Sequence, residues 1–208
     1  MFDLPKKTVV NKIIPKNTFY RKIAISNYIK DEFVNSIEKI VWKYKLSEET
    51  IGIKKSGNFN EIQIFNINLK DKKLPKKVLT FIIKSIPYPV LFQINYNEDK
   101  CYALALYNNE INLEKLYISD WNEELNFSFT ALNLENLYKK MLKKFIVEFN
   151  SNERFEETVQ KNNLYEELNS DIIKLNNQIK QEKQFNRKLI LNKELNRKKK
   201  ELEVLING

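Results

Sequence analysis

The sequence predicts an α/β or α+β domain over residues 1–150, a mixed sheet of about five or six strands with flanking helices, and a helical coiled-coil or helical-hairpin extension over 151–208. Three observations carry this expectation. Through residue 150, short β-rich runs alternate with segments whose apolar residues recur at helical spacing. From Ser151 to Asn207 there is neither glycine nor proline, which permits long unbroken helix. Hydrophobic residues make up 42%, with 13 Phe, 10 Tyr and 2 Trp, enough to fill a core and to set disorder aside.

Pro5 and Pro15 punctuate the first 17 residues, which are expected to run extended over the surface, anchored by Val9, Val10, Ile13 and Ile14. Ser26 suits a helix N-cap, and Ile29, Phe33, Ile37 and Ile40 follow at helical spacing, predicting a helix to about Lys39. Trp42, Tyr44 and Leu46 alternate as a strand would, and Ser47 with Thr50 marks a turn or single helical turn. Residues 61–69 are apolar on both faces and predict a central strand; Asn66 and Asn68 share the Ile62 and Ile64 face as a polar network. Leu74-Pro75 opens a helix with Val78, Leu79, Ile82 and Ile86 as its buried stripe, and Pro87 ends it. Strands at 90–96 and 101–107 flank a turn at 97–100, and a further pair is expected at 116–119 and 125–130. Asn133 caps a helix running through Leu137, Met141, Phe145 and Phe149.

In the tail, Leu168, Ile172, Leu175 and Ile179 keep a 4-3-4 step, and Leu191, Leu195, Leu202 and Leu205 continue it in a second frame, with Lys198 at the intervening core position. The frames do not match. The break falls near Gln181–Asn186, as a stutter in one helix or as the turn of a helical hairpin, and Phe185 and Leu189 are expected to bridge it. These ten apolar residues are the candidate partner-binding set, for a second copy of the chain or for another protein.

Residue types that are absent exclude whole classes of chemistry. With no histidine and a single cysteine, Cys101, the chain cannot build the usual zinc site, a Ser-His-Asp triad or a Cys-His pair. Its three glycines cannot form a P-loop or a dinucleotide fingerprint. No cofactor or metal is expected, nor a membrane span or signal peptide, and the chain reads as cytoplasmic.

The net charge is +9, almost all from lysine. Lysine, asparagine and isoleucine rise together, which an AT-rich genome produces without functional pressure. Their placement is a separate matter: residues 1–30 hold seven basic residues against Asp3, and Lys70, Lys72, Lys73, Lys76 and Lys77 cluster around Asp71. Lys6, Lys7, Lys12, Lys16 and that second cluster are therefore the candidate nucleic-acid contacts, suited to phosphate backbones in a sequence-indifferent way. The enzymatic alternative is a Mg²⁺-dependent nuclease of the Asp…Glu-x-Lys type. Its nearest match is Glu61 with Asp71 and Lys72, although the residue two after Glu61 is Gln63 where the pattern has lysine.

Four phrases carry a resemblance over nearly the whole chain. They are Lys12-Ile13-Ile14-Pro15-Lys16 with Phe19-Tyr20; Ile40-Val41-Trp42-Lys43-Tyr44-Lys45-Leu46 with Thr50; Ile86-Pro87-Tyr88-Pro89; and Glu182-Lys183-Gln184-Phe185-Asn186-Arg187-Lys188 with Leu191-Asn192. Together they resemble bacterial proteins of the domain-of-unknown-function family 4391. The resemblance implies a setting beside helicases and DNA methyltransferases in restriction-like, anti-phage defence loci, and an accessory role there. It supplies no catalytic residues. The expectation is a non-catalytic scaffold subunit that binds DNA through its body and a helicase, methyltransferase or second copy through its tail.

Overall fold

The computed structural model describes residues 2–21, 23–108, 112–147 and 153–207. It divides into two compact units, Met1–Phe145 and Ile146–Gly208. The expected boundary at residue 150 and the expected helical position Phe149 lie outside the described residues.

The first unit is an α+β body built on one six-stranded sheet whose spatial order follows the chain: β1 (Val9–Ile13), β2 (Ile37–Ser47), β3 (Glu61–Leu69), β4 (Val90–Tyr96), β5 (Asp99–Tyr107) and β6 (Leu113–Ile118). All neighbours pair antiparallel except β3 with β4. That parallel pair needs a crossover, supplied by helix α4 (Lys76–Lys84), whose Val78, Leu79, Phe81, Ile82 and Ile83 are all buried. β3 is the central strand: Ile62 and Ile64 on one face and Phe65, Ile67 and Leu69 on the other are all buried. Phe65 stacks with Trp42 and lies against Phe92. Across the sheet, Phe2, Tyr44, Tyr102, Phe127 and Phe129 form an aromatic cluster on the Ile62 and Ile64 side.

Between the strands run the short helices α1 (Asn17–Tyr20) and α3 (Glu48–Ile51) and the longer α2 (Asn27–Ser36), and α5 (Leu134–Leu142) follows β6. Ser26 caps α2 by accepting from the Ile29 amide, and Ser47 with Thr50 forms a capping box at α3. On α5, the buried Tyr138 hydroxyl accepts from the Tyr107 amide at 3.1 Å and donates to the Ala105 carbonyl at 2.8 Å.

Four expectations need correcting. The helix from Ser26 stops at Ser36, and Ile37 and Ile40 belong to β2. A bulge between Ile37 and Lys39 is the reason, because it lets residues three apart face the same side and so imitates helical spacing. Residues 125–130 form no strand; Phe127 and Phe129 instead turn into the aromatic cluster. At the start of the chain, β1 pairs with β2 as an edge strand, but Val9 and Ile13 stay exposed and do not anchor it. α5 also ends before Phe145.

The second unit is a helical hairpin of α6 (Phe155–Gln181) and α7 (Phe185–Asn207). Glu182 turns the chain: its carboxylate accepts from the Lys183 and Gln184 amides, both at 2.8 Å. Leu168 and Leu195 are buried between the helices at 3% and 6% exposure, and Lys198 bridges to Asp171 at 3.0 Å. Ile172, Leu175, Ile179, Leu191, Leu202 and Leu205 are half-buried along the same seam. Of the two alternatives for the frame break, the chain takes the hairpin. Among the described residues, no helix is long and apolar enough to cross a membrane.

Cys101 is fully buried, and burial pushes its thiol up to about 12. Because the folded thiol keeps a proton that the unfolded chain gives up above its ordinary value of 9.0, stability falls as pH rises through that range. Urea unfolding between about pH 8 and pH 10 should show the wild type losing about 1–2 kcal/mol more than Cys101→Ala.

Candidate nucleic-acid interface

The lysines fall into groups that differ from their order in the chain. Lys6 and Lys7 sit in a 3-10 turn packed near α3, at the sheet end where β3 begins. Lys70, Lys72, Lys73, Lys76 and Lys77 leave the opposite end of β3 and enter α4, and all five are exposed. Lys12 is exposed midway along edge strand β1, opposite Trp42. The sheet thus separates Lys6 and Lys7 from the second cluster.

Two of the candidates already act on the fold. The Lys70 ammonium donates to the Val34 carbonyl at 2.8 Å, and Lys16 donates to the Val34 and Ile37 carbonyls. Both therefore satisfy carbonyls at the C-terminus of α2, where cations also meet the negative end of the helix dipole. Partial burial first, and the charge of Lys70 second, hold the Lys16 ammonium below its usual range.

The remaining four candidates, Lys72, Lys73, Lys76 and Lys77, form a surface with two aromatic rings beside it. Lys77 lies 4.6 Å from the ring of Tyr28, which is 62% exposed on α2. Lys72 lies 5.5 Å from the ring of Trp121 and pairs with Asp99 at 2.6 Å. That hydrogen bond, with a second from the Asn122 amide, holds the Asp99 carboxyl below its usual range. Lys73 and Lys76 have no side-chain partner among the described residues.

The nuclease candidates are not brought together. Glu61 opens β3 and Asp71 follows its end, so the strand separates them by about 26 Å. Glu61 is instead buried against Lys45, at 3.1 Å, and accepts from the Gln63 amide at 2.5 Å. The Glu61 hydrogen bond raises the Lys45 ammonium above its usual range. Asp71 accepts from the Lys73 backbone amide, and Lys72 is spent on Asp99. Among the described residues, no group of three or more carboxylates or thiols gathers to hold a metal ion.

Sequence reasoning missed Lys39 and Lys100. They are isolated in the chain, and register alone brings them into one row: Lys39 opposite Asn68, Asn68 beside Asn95, Asn95 opposite Lys100. Asn122 accepts from the Lys100 backbone amide and donates to Asp99, which the register turns to the other face of the sheet, where it pairs with Lys72. The hairpin, taken by itself, leaves Phe185 at 78% exposure, with Leu189 and Ile190 also exposed. The expected bridge by Phe185 and Leu189 is therefore not made; Glu182 makes the turn.

The sequence profile described as "Domain of unknown function (DUF4391)" matches residues 2–202. The chain belongs to this family. The match spans both the body and the hairpin, so the family unit includes both. No curated protein and no solved structure shows a significant match.

If Lys16 serves α2, then Lys16→Met should lower stability by about 1 kcal/mol in urea titration and leave DNA affinity within about twofold. A loss of DNA binding with unchanged stability would reverse that assignment.

Proposed function

We propose that the chain is a non-catalytic accessory subunit of a bacterial DNA-targeting, restriction-like defence complex, with the body on DNA and the hairpin on a protein partner. The carrying observation is the exposed group Lys72, Lys73, Lys76 and Lys77 at one end of the sheet, flanked by Tyr28 and Trp121. Lysine is a flexible point charge, suited to phosphate contacts that carry no sequence information. The partner is a helicase or DNA methyltransferase subunit, or a second copy of the chain. Phe185, Leu189 and Ile190 support docking there, because large apolar side chains clustered at a solvent-facing hairpin end gain by being covered.

DNA affinity should fall linearly with the logarithm of salt concentration. Replacing Lys72, Lys73, Lys76 and Lys77 together by Gln should flatten that slope by about 3 and weaken binding to all sequences alike. Binding insensitive to salt, measured by fluorescence anisotropy, defeats the reading.

The hairpin role is tested separately, by co-expressing the full chain with a helicase or DNA methyltransferase subunit of such a complex. Phe185→Ser with Leu189→Ser should abolish co-purification while leaving DNA affinity within about twofold, since both positions are exposed and remote in sequence from the lysines.

A further inference from the structure

At the end of the sheet that bears the lysine cluster, the Ile62 and Ile64 face changes from apolar to amide. Its outermost row is Lys39, Asn68, Asn95 and Lys100, on four successive strands. The next row inward is Val41, Asn66, Gln93 and Tyr102. Gln93 donates to Asn95 at 3.0 Å and Asn95 donates to Asn68 at 3.3 Å, forming a chain of side-chain amides across two strands. Asn66 breaks the pattern: its Oδ1 is enclosed and has no hydrogen-bond partner among the described residues.

We propose that this row binds an unpaired DNA strand laid across β2 to β5, with Lys39 and Lys100 on phosphates and the Asn and Gln amides on base edges. The inference rests on reading the adjacent lysine cluster as a DNA-binding surface, and it names the form of DNA which that surface takes. Asparagine and glutamine amides present a donor and an acceptor side by side, the pattern that pairs with an exposed base edge. In a duplex those edges lie at the floor of a groove about 8.5 Å deep. Short amides standing on a sheet face reach only roughly 4 Å from the backbone and cannot touch them. In a single strand the bases can turn out onto the sheet. The row from Lys39 to Lys100 spans three strand spacings, about 14 Å, room for a short run of nucleotides. At the same end of the sheet, the rings of Trp121 and Tyr28 stand beside Lys72 and Lys77, where bases that continue past the row can stack.

The test uses the full chain and two labelled probes, an oligo-dT of about 12 nucleotides and a duplex of the same length, compared by fluorescence anisotropy at one salt concentration. The single strand should bind about tenfold tighter than the duplex. Asn68→Ala with Asn95→Ala should weaken the single strand about tenfold and leave the duplex within about twofold. Lys39→Gln with Lys100→Gln alters only exposed side chains, and should also weaken the single strand selectively, which separates a lost contact from a folding defect in the amide variant. Duplex bound as tightly as single strand, or equal losses on both probes, overturns the inference and leaves the lysine-cluster reading intact. No binding to either probe overturns both.

Discussion

The parallel pairing of β3 with β4 is the constraint on which the body depends. β3 is apolar on both faces and hydrogen-bonded along both edges, so it must lie in the middle of the sheet. A parallel neighbour cannot be reached by a tight turn, so the chain must leave one end of β3 and travel back through α4 before β4 can start. The first solvated segment after that buried strand is residues 70–73, where the lysines concentrate. Their position is thus a product of the crossover.

Most of the architecture could be read from residue patterns where burial alone decides the structure. The two-faced run at 61–69, the α4 stripe through Ile82 and the two strands within 90–107 each follow from one local rule, and the structure keeps them, although α4 ends at Lys84 and leaves Ile86 outside the helix, half-buried. Reading failed where local geometry departs from the regular period. The bulge at Glu38 gave a strand the spacing of a helix, and a second irregularity between Trp42 and Tyr44 shifts the faces of β2 again. At 125–130 the alternation of Leu125, Phe127 and Phe129 had the form of a strand, but Phe127 and Phe129 pack over the sheet without pairing to it. In the hairpin the mismatch of frames was visible. Choosing turn over stutter required the carboxylate of Glu182 on two backbone amides, a contact no periodicity encodes.

The candidate interface was legible only as charge. Five of the lysines stand together in the chain and stay together in space, whereas Lys6 and Lys7 stand at the other end of the sheet. Lys16 and Lys70 could not be recognised as helix-terminating groups without knowing where α2 stops. The amide row depends on the register of four strands, so two of its members, Asn95 and Lys100, are near in sequence and the others are not. A signal existed in the pair Asn66 and Asn68, polar residues on an apolar strand, and the structure extends that pair to Gln93 and Asn95.

The junction of α2 and β2 has a kinetic consequence. Ser36 is the last residue of the helix and Ile37 the first of the strand, with no residue between them to act as a joint. Tyr28, in the first turn of α2, is held by a continuous hydrogen-bonded backbone to the strand that carries Lys39, and Lys16 and Lys70 lock the bend itself. A surface mounted in this way has little backbone freedom left to lose when something settles on it. If the proposed DNA binding holds, association at such a surface is set by charge and diffusion, with residence time left to the contacts.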